Sequence, residues 1–202
     1  MVEIRYRTGS VLEPIGEGNK LIPHVCNDQG GWGSGLVVAI SNKWRLPEAD
    51  YREWFRRGDF HGNKFQLGNI DLVRVSKITE DTGKQLFIIN MIAQHKTIPI
   101  EPTPIRYDAL KKCLDKVAHY ANGLKASVHL GRIGCGLAGG TWDKVEEIIK
   151  ETLIEKGIEV TVYTLEGDIS WKQNEIPKGK YSGKRSYEQA EWHPDDGDYI
   201  VK

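Results

Sequence analysis

The chain has 202 residues, 39% of them hydrophobic, which suits one domain with a substantial core and a short segment to spare. Its 28 basic residues balance 28 acidic ones, which argues against a nucleic-acid surface or an anionic-membrane surface, so an anionic ligand would have to be held by local structure. The three cysteines, Cys26, Cys113 and Cys135, are too few and too scattered for a disulfide framework or a zinc site with paired ligands, which makes a reducing cytoplasm the expected compartment.

In chain order, Val2–Arg7 alternates weakly as an edge-like strand, and after a turn region at Gly9, Pro14, Gly16 and Gly18, Leu21–Cys26 reads as a short buried strand. Gly30–Gly35 breaks the pattern. Leu36, Val37, Val38, Ile40 and Trp44 suit a helix, and Pro47 starts a second one through Tyr51, Trp54 and Phe55, whose helical spacing marks them as core. Gly58 to Gly68 reads as loop. Ile70–Val75 and Leu86–Ile92 read as adjacent strands joined by a hairpin turn at Glu80-Asp81-Thr82-Gly83, with Asn90 and Gln94 polar near the end of the second.

Thr103 and Pro104 look like an N-cap and first helical residue, and Leu110, Leu114, Val117 and Ala121 recur every three or four residues until Gly123. Ala126–Ile133 returns to strand. Thr141 can cap a helix carrying Val145, Ile148, Ile149 and Leu153 up to Gly157, and Ile158–Leu165 closes the pattern as a β-branched strand. Strands alternating with helices predict an α/β domain with a mixed central sheet, whose ligands gather beyond the carboxyl ends of the strands. After Leu165 the composition shifts to glycine, proline and charge with Trp171, Tyr181, Tyr187, Trp192 and Tyr199 interspersed; we expect residues 166–202 to be a loop-rich extension packing its aromatics on the domain.

Two glycine-dense loops fall at strand ends: Gly30-Gly31-Trp32-Gly33-Ser34-Gly35, and Gly131-Arg132-Ile133-Gly134-Cys135-Gly136-Leu137-Ala138-Gly139-Gly140. Backbone without side chains can approach a ligand closely, and clustered N–H groups at helix starts favour phosphate or diphosphate. Neither loop carries Gly-Lys-Ser/Thr, and Gly30-x-x-Gly33-x-Gly35 is not the dinucleotide pattern Gly-x-Gly-x-x-Gly.

The wording around the loops is more specific. Ile22-Pro23-His24-Val25-Cys26-Asn27-Asp28-Gln29 before the first, paired with Gly134-Cys135-Gly136-Leu137-Ala138-Gly139-Gly140-Thr141-Trp142 in the second, resembles the macro domain, a three-layer α/β fold that binds ADP-ribose. The resemblance runs from about Ile4 to Leu165, which sets residues 1–165 as the domain, and is strongest with the branch containing the terminal ADP-ribose protein glycohydrolase, the yeast-type ADP-ribose 1''-phosphate phosphatase and bacterial proteins with this Gly-Cys-Gly-Leu-Ala-Gly-Gly loop. It implies that Asn27 to Gly35, including Gly31, Trp32, Gly33 and Ser34, flanks the distal ribose and one phosphate. Gly134 to Thr141 would wrap the diphosphate, and Asn27 would bond a ribose hydroxyl. Trp32 would either cover that ribose or pack under its loop. Ser10 stands where the family commonly has an acidic adenine contact, and Tyr163 and Leu165 either offer surface to the base or pack the strand.

The glycohydrolase of this branch uses a lysine at the end of the central strand and an aspartate in the second loop; here those positions are Gln94 and Ala138, so covalent amine attack is not available there. Hydrolysis would need a positioned water. The candidates to act on it are Asp28, His95 and His24, since histidine titrates near neutral pH and a carboxylate can orient it. Each has a plain alternative: Asp28 bracing its loop, His95 at the surface, His24 satisfying groups at a strand end, although His24 resembles in position a histidine of the phosphatase branch. Cys26 and Cys135 read as packing residues, and the remaining histidines show no metal-binding spacing. The expectation is therefore a soluble, cytoplasmic, monomeric ADP-ribose-binding hydrolase without metal or cofactor, acting on mono-ADP-ribose esters of acidic side chains. The alternatives are ADP-ribose 1''-phosphate phosphatase and a non-catalytic reader of ADP-ribose. No membrane role is expected, because the first residues lack an apolar signal core and no run approaches the roughly 20 apolar residues of a span. A nucleic-acid partner is disfavoured, with ADP-ribosylated ends left open as substrates.

Overall fold

The computed structural model describes residues 2–75, 83–97 and 103–168. Their elements are β1 (Arg5–Thr8), β2 (Asn19–Asn27), α1 (Leu36–Lys43), α2 (Leu46–Arg57), β3 (Asp59–Phe60), β4 (Asn63–Lys64), β5 (Ile70–Arg74), β6 (Leu86–Gln94), α3 (Tyr107–Leu124), β7 (Ala126–Leu130), α4 (Trp142–Ile149) and β8 (Val160–Thr164), α4 running on through a π-helical turn at Lys150–Ile154.

Six strands form one mixed sheet in the order β1-β8-β7-β2-β6-β5, parallel except for β5. The predicted edge strand lies at one edge, and the predicted pair β5 and β6 is antiparallel; of their connecting turn only Gly83 is described. β2 and β6 hold the centre. From Phe87 to Ala93 every residue of β6 is buried, as expected of a strand covered on both faces. One layer is α3 and α4, where Ala109, Leu110, Cys113, Leu114, Val117, Ala118 and Ala121 make one buried stripe. Each fully buried leucine there contributes roughly 2 kcal/mol of apolar transfer free energy. The other layer is α1 and α2, packed through Ile40, Tyr51 and Trp54 on Ile22, Ile88 and Ile92.

Three sequence expectations need correction. The stretch from Gly58 to Gly68 contains the small hairpin β3–β4 rather than loop alone. The helix expected from Thr103 and Pro104 begins at Tyr107, because residues 104–106 run extended beside β6: His95 N–H donates to Pro104 O at 2.8 Å and Arg106 N–H to Ala93 O at 2.9 Å. Phe55 is 45% exposed rather than core, although Tyr51 and Trp54 are buried as expected. Among the described residues no helix is long and apolar enough to cross a membrane. The expected packing of Trp171, Tyr181, Tyr187, Trp192 and Tyr199 falls on residues outside those described.

Candidate functional site

Both glycine loops leave carboxyl ends of parallel strands, β2 and β7, which are neighbours in the sheet. They face one another: a Cβ on Gly35 would lie 3.9 Å from Leu137 Cδ1, and Leu137 itself is 57% exposed. Gly35 is the N-cap of α1 at φ 76°, a conformation that glycine adopts without strain, and Gly33, Ser34 and Gly35 are exposed. The positive end of α1 therefore opens onto the space between the loops.

The glycines divide by task. Gly30 and Gly140 are filled around: a Cβ would meet the Phe55 ring at 2.3 Å in the first case and the Gly134 carbonyl oxygen at 2.6 Å in the second. Gly134 and Gly31 are also crowded, by Ile105 and by the Asn27 amide, each at 3.1 Å. Gly136 has nothing within 4 Å and is exposed. Gly140 N–H closes the second loop onto Gly134 O at 2.8 Å, Gly139 N–H bonds Gly136 O at 3.0 Å, and Ile105 N–H bonds Ala138 O at 2.9 Å. The N–H groups of Gly136, Leu137 and Ala138 have no acceptor among the described residues. Thr141, the N-cap of α4, donates its N–H to Tyr107 Oη at 3.0 Å and makes no side-chain cap.

Asp28 and His95 come together. The register of β2 on β6 skips Ala93, pairing Cys26 with Ile92 and Asn27 with Gln94, and this bulge turns the chain so that Asp28 N–H reaches Gln94 O at 2.9 Å. The Asp28 carboxylate then accepts from the His95 ring, Nδ1 to Oδ2 at 2.6 Å, from Lys96 N–H at 2.8 Å and from Gln29 Nε2 at 3.0 Å. Burial would raise the Asp28 pKa, but the Lys96 N–H, the His95 ring and the Gln29 amide together hold it below the ordinary carboxylate range. In the neutral ring, a carboxylate at Nδ1 fixes the proton on that nitrogen and leaves the lone pair on Nε2. The His95 side chain is 35% exposed, so solvent reaches the ring.

Other predicted residues are placed differently. His24 is a core residue, not an acid or base for a ligand. It is 2% exposed, its Nε2 donates to Asn90 Oδ1 at 2.7 Å, and burial lowers its pKa to about 4. Asn90 in turn donates to Pro47 O and to Asp71 Oδ2, so the pair joins β2, β5, β6 and the start of α2. Trp32 packs under the first loop rather than over a ribose, buried against Tyr51 and His24 with Nε1 donating to Ser41 Oγ at 2.7 Å. Asn27 braces its own loop: Oδ1 accepts from Gln29 N–H and Gly31 N–H, Nδ2 donates to Gly31 O, and Tyr51 Oη donates to Asn27 O. Tyr163 is buried strand packing, its hydroxyl accepting from Ile15 N–H, while Leu165 is exposed. The Ser10 hydroxyl accepts from Leu12 N–H at 3.2 Å, a turn contact. Gln94 donates to Lys96 O at 2.9 Å, and Ala138 is buried. All three cysteines are buried, and burial pushes the Cys26 thiol well above its ordinary range and that of Cys113 to about 12. No cluster of three or more metal-ligating side chains occurs among the described residues.

No family model matches the chain. A macrodomain protein from Streptomyces coelicolor, in a solved structure, is 46% identical, with a TM-score of 0.67 over 80% of this chain and 99% of that one. The chain belongs to the macrodomain family. A curated relative, the chromodomain-helicase-DNA-binding protein 1-like of Mus musculus, is 32% identical over 79% of this chain, which spans only 17% of that protein's length. The macrodomain fold recurs at 18% identity in a structure of Thermosipho africanus DarTG in complex with ADP-ribose, with a TM-score of 0.58 over 76% of this chain and 40% of that one.

In this macrodomain the groups at the strand ends can do two things chemically. Main-chain donors and a helix start can hold a diphosphate, and an Asp–His pair at the edge of the same strand ends can take a proton from a water. Sequence reasoning missed three residues that support this. Lys96 adopts φ 60°, rare for a side-chain-bearing residue, and this turns its N–H onto Asp28. Tyr107 anchors the second loop through Thr141, and Tyr51 anchors Asn27. Only Tyr51 had a signal, its helical spacing; for the other two nothing local foretold a contact across the fold.

Proposed function

We propose that this macrodomain binds ADP-ribose between its glycine loops and hydrolyses mono-ADP-ribose esters on acidic protein side chains, as a monomer in the cytoplasm. The observation that carries the reading is the 2.6 Å bond between Asp28 and His95 at the carboxyl ends of β2 and β6. The ADP-ribose complex of a protein with the same fold supports the choice of ligand. The diphosphate lies along the free N–H groups from Gly136 to Ala138 and the start of α1. A water takes the place of the absent lysine: its oxygen attacks the anomeric carbon of the distal ribose, its proton passes to His95 Nε2, and the ester C–O bond breaks with the electron pair leaving on the carboxylate. Asp28 orients His95 and stabilises its charged form.

The test is product analysis by chromatography after incubation with a glutamate-linked mono-ADP-ribosylated protein and, separately, with ADP-ribose 1''-phosphate. The reading predicts release of ADP-ribose from the protein. His95→Gln and Asp28→Asn should slow release by about 100-fold or more, as expected when a general base or its orienting group is lost, while calorimetric ADP-ribose affinity stays within about threefold. Turnover of the 1''-phosphate alone would replace the reading by a phosphatase, and binding with no turnover of either would make the protein a reader.

A further inference from the structure

Two crevices lie at the amino ends of the strands, opposite the glycine loops, flanking the segment 12–18 that leads into β2. They hold about 620 and 610 Å³ of empty space open to solvent. Arg5, Arg7 and the exposed side chain of Ile15 line one; Lys20, Lys43, Lys84 and Trp44 line the other. Five basic side chains thus gather on one side of a chain whose formal net charge is zero. Arg5 is paired with Glu159 at 3.2 Å and Lys84 with Glu17. Arg7, Lys20 and Lys43 have no carboxylate partner among the described residues. Lys20 reaches only Gly18 O, at 3.1 Å, while Lys43 donates to Leu12 O at 2.8 Å and lies 4.9 Å from the Trp44 ring centroid. Burial, and then the Lys84 ammonium, lowers the Lys20 pKa, with the Glu17 carboxylate opposing them.

The complementary chemistry is present in the same chain. From Glu188 to Asp198 there are five acidic residues and no lysine or arginine, with Trp192 among them and Tyr199 following. We propose that the segment 188–199 docks in these two crevices, its carboxylates on Arg7, Lys20 and Lys43 and its aromatic rings against Trp44 and Ile15. Reach does not oppose this: the twenty residues from Asp168 to Glu188 can extend to roughly 66 Å, several times the length of a five-residue strand. Tethering favours this occupant over a free polyanion. Glu13, Glu17 and Glu159 line the same crevices, so the surplus of positive charge is too small for strong phosphate-backbone binding, whereas an attached segment acts at about millimolar effective concentration.

The test is zero-length carbodiimide cross-linking of the full chain at low ionic strength, with linked peptides mapped by mass spectrometry and a mixture of isotopically light and heavy protein separating links within a molecule from links between molecules. Links between Lys84 and Glu17 and between Lys156 and Asp115 are the internal control. The expected result is intramolecular amides from Lys20 or Lys43 to carboxylates of 188–198. Their yield should fall about tenfold in high salt, which leaves every reacting amine and carboxylate in place. Combining Lys20→Glu with Lys43→Glu, or changing Glu188→Gln, Glu191→Gln, Asp195→Asn, Asp196→Asn and Asp198→Asn together, deletes the reacting groups and serves to assign the links. Absence of these links while the control links form would overturn the proposal. Links only between light and heavy molecules would transfer the surface to a second copy. Saturable binding of a single-stranded oligonucleotide, lost in the lysine double variant and accompanied by no link to 188–198, would transfer it to nucleic acid.

Discussion

Two glycines of the second loop should fail in opposite ways when substituted. A Cβ on Gly140 would stand 2.6 Å from the Gly134 carbonyl oxygen, with Tyr107 Oη at 3.2 Å and Ile105 Cγ2 at 3.3 Å. The first of these is backbone of the same loop and the acceptor of Gly140 N–H, so relieving the clash means opening the bond that closes the loop. Overpacking of this kind costs roughly 1–3 kcal/mol and the lost bond roughly 1 more, giving about 2–4 kcal/mol for Gly140→Ala. In a domain of this size that lowers the Tm by about 6–12 °C. At Gly136 a Cβ meets nothing within 4 Å, the residue is exposed, and it needs no left-handed backbone, so Gly136→Val should change stability by less than about 0.5 kcal/mol. Ligand binding reverses the order. Valine at 136 would stand over the free N–H groups from Gly136 to Ala138 and should weaken ADP-ribose by about 100-fold, the loss of one or two charge-assisted bonds to phosphate. Urea unfolding and calorimetry with ADP-ribose on both variants check the pair. A wild-type midpoint for Gly140→Ala would refute the loop-closure argument, and wild-type affinity in Gly136→Val would refute a diphosphate lying along that loop.

Three further outcomes follow from buried polar groups. His24, with its folded pKa near 4 against 6.5 ordinarily, favours folding fully above pH 6.5 and loses that contribution as pH falls toward 4, about 3 kcal/mol in all; urea midpoints should drop over that window, and His24→Gln should flatten the drop. Asp71 has the opposite sign: burial raises its pKa to about 6, so its contribution is present below pH 3.8 and lost as pH rises through 6. Asp71→Asn should therefore stabilise the protein by about 1–3 kcal/mol at pH 7.5, with a smaller gain at pH 5, and a loss at pH 7.5 would mean that the carboxylate is better satisfied than its burial indicates. Asn27→Ala removes the acceptor of Gln29 and Gly31 N–H and should cost about 2–3 kcal/mol by thermal unfolding; a near-neutral result would show that Tyr51 and Gly30 hold the first loop without it.

Much of the architecture was legible because periodicity reports burial directly. The apolar spacing of Leu110, Leu114, Val117 and Ala121 located α3, and the largely apolar runs at Leu21–Cys26 and Leu86–Ile92 located β2 and β6 as strands, while their place at the centre of the sheet came only with the structure. The start of α3 was misplaced at Thr103-Pro104 because an N-cap signature is local, whereas residues 104–106 answer to donors and acceptors on β6, which no local pattern records. The site was legible by a different route, as an unusual wording of glycines, and its side chains much less so. His24 and His95 are alike in sequence, each polar beside an apolar strand. What separates them is that His24 points into the layer under α1 and α2 with Ile22 and Cys26, while His95 lies just beyond the last residue of β6. Strand parity could have placed His24 on that covered face, had the helices above it been known.

The bulge between Cys26 and Asn27 links the first glycine loop to the Asp28–His95 pair. Regular pairing would have set Asn27 beside Ala93; the skipped residue sets it beside Gln94 and carries Asp28 past the sheet edge to His95 and Lys96. Gln94 turns its amide back onto Lys96 O and so helps to hold the backbone whose N–H secures Asp28. A residue whose amide is spent on fixing its neighbour is placed to support, not to attack. Residues 94 and 96 thus keep the Asp28–His95 pair in place at the strand ends.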